Sequence, residues 1–240
     1  MVIPERAVLI SDDRSHGHRS GLSLVVSLLL GWVASVACVE PPQINQEVIV
    51  FTNGTTIRYH PADKTSNPST RSGRVVVETP RILAGPRRIV LVREESFAEG
   101  GAVQLVFFDY CGRRLGYSER ALINAPANDT VFFLEQARRI FIGQSSSHFT
   151  GADKSFLLDE DGRLVKSLPH RESVGSFGHS ADGRLIWIIA MLNPETGEVT
   201  AFASSNGKVV AKRTYSKAGT IRITNAGRTY EIRVEMYNLP

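Results

Sequence analysis

The sequence predicts an all-β fold made of antiparallel hairpins that repeat along the chain. Three observations predict it. Turn dipeptides recur to the end of the chain at a near-constant interval. Apolar residues cluster in short continuous runs bounded by turn signals, which is how strands covered on both faces read. No segment carries an amphipathic helix of useful length, and residues 119–124 allow a single turn.

The turns fall into two alternating sets. One is Asn53-Gly54, Cys111-Gly112, Asp161-Gly162 and Asn206-Gly207, whose last three glycines are 50 and 45 residues apart. The other is Gly85-Pro86, Gln136-Ala137, Asp182-Gly183 and Ala226-Gly227, where positions 137, 183 and 227 are 46 and 44 residues apart. The asparagine-glycine and aspartate-glycine pairs supply the positive φ that two-residue hairpin loops require. A period of roughly 40–50 residues holding two hairpins matches a four-stranded propeller blade. The predicted fold class is a small β-propeller of about four four-stranded blades, with an antiparallel β-sandwich as the alternative.

The strands of a blade are A to D from the channel outward. Residues 47–59 supply only a C–D hairpin. Blade one covers 75–117, blade two 130–168 and blade three 174–215, and residues 220–236 supply only an A–B hairpin. The two half-blades are expected to make a fourth, residues 48–51 pairing antiparallel with 230–235, because closure removes exposed sheet edges. The runs 103–108, 131–134, 139–142, 156–158 and 185–190 lack polar alternation, as strands between two packed neighbours do. Trp187, between Ile186 and Ile188, is expected to be buried between blades. Residues 229–237 alternate better, which points to one wetter face.

The stretch 176–202 reads Ser-Phe-Gly-His-Ser-Ala-Asp-Gly-Arg, then an apolar run, then Asn193-Pro194-Glu195-Thr196-Gly197 and a further strand. It resembles the WD40-like β-propeller repeat of the TolB type, in which Ser-Pro-Asp-Gly precedes one strand and Thr-Gly the next. Ala181 stands where that pattern has proline, and the resemblance covers about one repeat.

The first 37 residues are read as a signal peptide: Arg14 and Arg19 precede an uncharged run with an apolar centre at 22–33 and a small-residue end. Ser35-Val36-Ala37-Cys38 resembles a bacterial lipobox, with Ser35 where leucine is preferred. The resemblance implies a lipid on Cys38 as the mature N-terminus and a bacterial source. Plain secretion after cleavage and an uncleaved membrane anchor are the alternatives. Residues 38–46 are then a polar, proline-containing tether and 47–240 the propeller-like domain. Two exported cysteines can form one disulfide; acylation of Cys38 rules that out and leaves Cys111 a buried lone thiol. Neither belongs to a Cys-x-x-Cys pair, so a zinc site of that kind has no support.

With 42% hydrophobic and 22% charged residues, the composition is that of an ordinary globular domain. The net charge of +4 is too small and too dispersed for nucleic acid, which wants a clustered basic face. Function is expected on the face with the longer connections: 60–72, 93–101, 118–129, 143–153, 169–173 and 191–197. The ligand-binding candidates there are His148, Asp153, His170, Arg171 and Glu172. A histidine or arginine beside a carboxylate can grip a polar ligand, and a solvated charge cluster is the plainer reading. Ser147 beside His148 lacks the Gly-x-Ser-x-Gly elbow of a nucleophile. Residues 159–162, Asp-Glu-Asp-Gly, resemble half a calcium loop, and a hairpin turn is the plainer reading. His179, in the innermost strand of blade three, is read as structural before metal-binding. No cofactor and no metal are expected.

The leading reading is a non-enzymatic protein of the bacterial cell envelope, a lipid-anchored or secreted monomer presenting its loop face to a protein or glycan. The rival is a hydrolase or lyase acting on glycans or lactones at the channel mouth, which needs converging carboxylates or histidines.

Overall fold

The structure is a computed structural model that describes residues 38–61, 75–97, 100–123, 127–144, 154–170 and 174–235. The expected signal peptide lies outside them. The described residues form five antiparallel sheets. The opening sheet holds β1 (Gln43–Ile44), β2 (Val48–Val50) and β3 (Thr56–Arg58). Blade one holds β4 (Val75–Leu83), β5 (Arg88–Phe97), β6 (Gly100–Asp109) and β7 (Arg114–Tyr117), with β8 (Ala121–Ile123) also on β6. Blade two holds β9 (Val131–Leu134), β10 (Arg139–Ile142), β11 (Lys154–Asp159) and β12 (Leu164–Pro169). Blade three holds β13 (Val174–His179), β14 (Leu185–Asn193), β15 (Thr196–Ala203) and β16 (Val209–Tyr215). The terminal hairpin is β17 (Gly219–Asn225) and β18 (Arg228–Val234). The all-β class and the order of hairpins are as the turn spacing predicts. Residues 121–123 are a strand and not part of a helical turn: Ala121–Ile123 pair with Gly101–Val103 and bury Ala121 and Ile123.

The sheets stack face to face in chain order, which explains the continuous apolar runs. Along β5, Ile89 and Leu91 face the opening sheet, where they meet Ile49, Phe51 and Tyr59. Val90, between them, faces blade two and joins Val131, Ile140 and Leu158. Along β14, Ile186 and Ile188 meet Leu134, Phe141 and Leu168 of blade two. Leu185 and Ile189 meet Ile223 and Ile232 of the terminal hairpin. Successive side chains of a strand point to opposite faces, so a strand covered twice cannot afford a polar alternate. This serial stack replaces the two-sheet sandwich alternative.

The C–D turns key each blade onto its predecessor. Asp109 Oδ1 accepts the amides of Cys111 and Arg113, and Asp159 Oδ1 those of Asp161 and Arg163, the same turn 50 residues on. The Asp159 carboxylate therefore serves as a turn acceptor. At the tip, Gly162 has φ 82°, and an added Cβ would lie 2.4 Å from the Phe107 ring of blade one. Gly112 is seated in the same way on Phe51 and Thr55, and Gly207 on Lys166 and Leu168. In the A–B turns of blades one and two, which lack an Asn-Gly or Asp-Gly pair, the left-handed residues are Arg87 and Arg138. Each turn also carries an arginine that reaches the next blade, Arg88 to Asp161 at 2.8 Å and Arg139 to the Ser205 carbonyl at 3.2 Å.

The Ser180-Ala-Asp-Gly-Arg turn of blade three is held by side chains. Ser180 Oγ accepts the Leu185 amide at 3.0 Å and donates to Asp182 Oδ1 at 2.6 Å. Gly183, with φ 62°, takes the positive φ expected of it. Asp182 Oδ2 then accepts from Arg228 at 3.0 Å and Tyr230 at 3.2 Å, tying blade three to the terminal hairpin. The Ser180 hydroxyl, and after it the Arg184 amide, Arg228 and Tyr230, hold the Asp182 carboxyl down to about 2 against the desolvation that opposes them.

Two expectations are overturned at the ends of the chain. Residues 48–51 do not pair with 230–235, so the ring is not closed by that contact. β1 occupies the edge of β2 meant for β18, pairing Gln43 with Val50 and Ile44 with Ile49. The terminal hairpin has one apolar face, Ile223, Ile232 and Val234, set on blade three. Its other face, with Thr220, Arg222, Thr224, Thr229, Glu231 and Arg233, is exposed, so it offers no surface to a further sheet. The second correction concerns Cys38, which is disulfide-bonded to Cys111 with Cα atoms 5.3 Å apart. A sulfur in a disulfide carries no lipid, and Cys111 is not a lone thiol. Residues 38–46 are thus a pinned part of the fold, not a tether.

Three outcomes follow from this packing. Gly162→Ala should cost roughly 2–4 kcal/mol, backbone strain plus overpacking. Gly54→Ala, at φ 84° over open space, should cost about 1 kcal/mol of strain alone. Equal urea midpoints for the two variants would show that the turn is not seated on Phe107. Replacing both cysteines with serine should cost about 2–4 kcal/mol, and the intact mass should show a two-hydrogen deficit with no acyl group on Cys38. The Asp182 contribution is complete above its ordinary value of 3.8 and is lost as pH falls through about 2. Asp182→Asn should therefore flatten the acid loss of stability in that window; an unchanged slope in urea melts would remove Asp182 from the account.

Candidate functional site

A groove of about 610 Å³ lies between the inner strands of blades two and three. β9 contributes Phe132, with Asp129 from the 3-10 turn Ala127–Asp129 before it and Thr130 between the two. β13 contributes residues 174–179, and β14 contributes Trp187. The walls are aromatic for a local reason. Phe132 and Phe177 fall on the facing sides of the two sheets and close the core there. At the inner rim that core runs out, and its last rings face the groove. Phe132 lies 5.6 Å from Phe141 in a stacked pair and 4.9 Å from the His179 ring. Phe177 is 5.6 Å from Phe141 and fills the space beside Gly143.

Trp187 reaches the groove because Gly178 has no side chain. The two residues are cross-strand partners, and a Cβ at Gly178 would lie 2.5 Å from the indole. The indole therefore covers β13 and forms part of the wall. Trp187 packs against the core between blade three and the terminal hairpin, as expected of a residue between sheets, and is half-buried because one part of the indole faces the groove. His179 is exposed, with Nδ1 2.9 Å from the Ser180 carbonyl, so the Nδ1–H tautomer donates there. Asp129 is exposed and is the one carboxylate among the described groove-lining residues.

The loop-face residues fare differently. His148, Asp153, Arg171 and Glu172 lie outside the described residues. His170 is half-buried, with its ring 6.5 Å edge-on from Phe177 at the back of the groove wall. The loops expected at 93–101 and 191–197 are shorter than predicted, since β5 runs to Phe97 and β14 to Asn193. Glu95 is consequently a strand residue, 7% exposed, bridged to Arg120 at 3.1 Å and Arg93 at 3.6 Å. That charge is structural cement between β5 and the segment leading to β8. A second cavity of about 500 Å³ lies at the outer strands of blades one and two, crossed by the Arg88–Asp161 bridge. Among the described residues, no three His, Cys, Asp or Glu side chains are grouped to hold a metal ion.

Sequence reasoning missed Phe132, Phe177 and Asp129 as groove residues. The one available signal was Gly178 opposite Trp187, a small residue paired with the largest, and it becomes visible only once the register is known.

No protein-family model matches the chain, and no curated protein matches it. Several solved structures resemble it in chain path. The acylaminoacyl peptidase of Pyrococcus horikoshii matches at 8% identity and TM-score 0.40, over 66% of this chain and 32% of that one. The β-propeller domain of the Trilobed protease from Pyrococcus furiosus, described as having an open velcro topology, matches at 12% identity and TM-score 0.40, over 67% and 58%. The dihydro-heme d1 dehydrogenase NirN matches at 10% identity and TM-score 0.34, over 73% and 36%. The chain spans between about a third and just over half of the length of these structures. The all-β stack of antiparallel sheets rests on the strand order and the packing between sheets.

Displacing the indole tests the geometry of the wall. Gly178→Ala should force Trp187 off β13. In a Trp32→Phe background its emission should move to longer wavelength and become more accessible to iodide, with circular dichroism unchanged. An unshifted spectrum would mean that Trp187 does not cover Gly178.

Proposed function

We propose that this protein is a non-enzymatic binding module that acts outside the cytoplasm and holds its ligand in the groove between blades two and three. The observation that carries the reading is the groove wall: Phe132, His179 and Trp187 present ring surface around one carboxylate, Asp129. Ring faces and a few polar groups in a preformed cleft are the usual makings of a ligand site. The Cys38–Cys111 disulfide supports this compartment, since such bonds persist where the environment is oxidising, as does the leader-like character of residues 1–37. The partner is a protein or glycan of the bacterial envelope, and the protein acts as a monomer without cofactor. Held by a disulfide, Cys38 favours secretion over lipid anchorage.

Trp187 is the reporter. With Trp32 replaced by phenylalanine, the protein is titrated with chitohexaose and with an acetylated hexapeptide library. At least one probe should shift the Trp187 emission saturably, and Phe132→Ala should weaken that binding about tenfold, the cost of one aromatic contact of roughly 1.4 kcal/mol. No saturable shift with either probe class would remove the groove from consideration.

A further inference from the structure

We propose that the groove takes an extended peptide as an added strand on the free edge of β13; this rests on the groove being the ligand site. Among the described residues, β13 is the end strand of blade three and pairs only with β14. The phase of that pairing fixes which backbone groups are left over. The Ser180 amide donates to the Leu185 carbonyl at 2.9 Å, so residue 180 faces β14. In an antiparallel ladder bonded and non-bonded residues alternate, so Gly178 also faces β14, while Phe177 and His179 face away. The far side of β14 agrees. Ser204 donates to the Arg184 carbonyl, which turns the backbone of Ile186, the partner of His179, toward β15.

The N–H and C=O groups of Phe177 and His179 therefore point into the groove, two residues and about 7 Å apart. Among the described residues they have no protein partner. A row of alternate donors and acceptors at that spacing is matched by another strand, the basis of recognition by strand addition. The walls suit such a guest. Its side chains would alternate between the Phe132–Phe177–His179 side and the Trp187 indole over Gly178. Gly175 and Gly178 line this edge without side chains of their own. The Asp129 carboxylate at the start of β9 adds a preference for a lysine or arginine in the guest.

The probe is an acetylated, amidated hexapeptide library in which valine alternates with every other residue. The best binder should be lysine- or arginine-containing and should slow hydrogen exchange at the Phe177 and His179 amides more than tenfold. N-methylation of its alternate residues should weaken binding at least tenfold in one phase and leave it unchanged in the other. Equal loss in both phases, or protection elsewhere than at residues 177 and 179, would overturn strand addition. Should chitohexaose shift the Trp187 emission while no library member does, the peptide inference falls and the groove survives as a ligand site. If neither shifts it, both fall.

Discussion

The structure depends on sheets packing face to face in chain order, with each C–D turn seated on the sheet before it. Phe107 shows how the two are joined. It is fully buried in the core between blades one and two, and its ring edge is the seat for Gly162. A side chain at residue 162 would have to displace that ring, so the turn and the core hold each other in place. Repeating this contact at Gly112 and Gly207 fixes the stacking distance along the chain. Arg88 and Arg139 add polar ties at the same end.

Such a stack has two ends, and each is finished differently. The opening sheet is closed off by β1, which takes the edge of β2, and by the disulfide that ties Cys38 to the C–D turn of blade one. Pro41 and Pro42 precede β1, and a residue without an amide donor makes a poor template for further pairing. The terminal hairpin ends the stack with a polar outer face and charged exposed residues. Edges of this kind are discouraged from pairing by charge, and the hairpin is fixed to blade three by apolar residues and by Asp182.

The groove follows from the same packing. Blades two and three share a core that is rich in phenylalanine, and it thins toward the inner strands. There the rings of Phe132 and Phe177 are only half-covered, and among the described residues the edge of β13 has no neighbouring strand. A ligand site arises where the regular repeat leaves ring surface and backbone groups unmet. The outer rim lacks this combination: Arg88 and Asp161 satisfy each other across it.

Much of the fold was legible in the sequence. The hairpin order, the bounds of three blades and the positive φ at Gly183 follow from local signals, because a turn's φ requirement and a strand's burial are written in a few adjacent residues. The even loss of polar alternation in 185–190 correctly implied cover on both faces. The groove was not legible, since Phe132, Gly178 and Trp187 meet only after two registers and one inter-sheet contact are set. Nor was the fate of Cys38, where four residues pointed to a lipid and a cysteine 73 positions away decided otherwise. The sequence by itself determined which segments become strands and where they turn. Only the tertiary structure decided which edges pair, which sulfur bonds and which rings stay uncovered. Those outcomes depend on competition between surfaces distant in the chain, and short-range pattern carries no information about the winner.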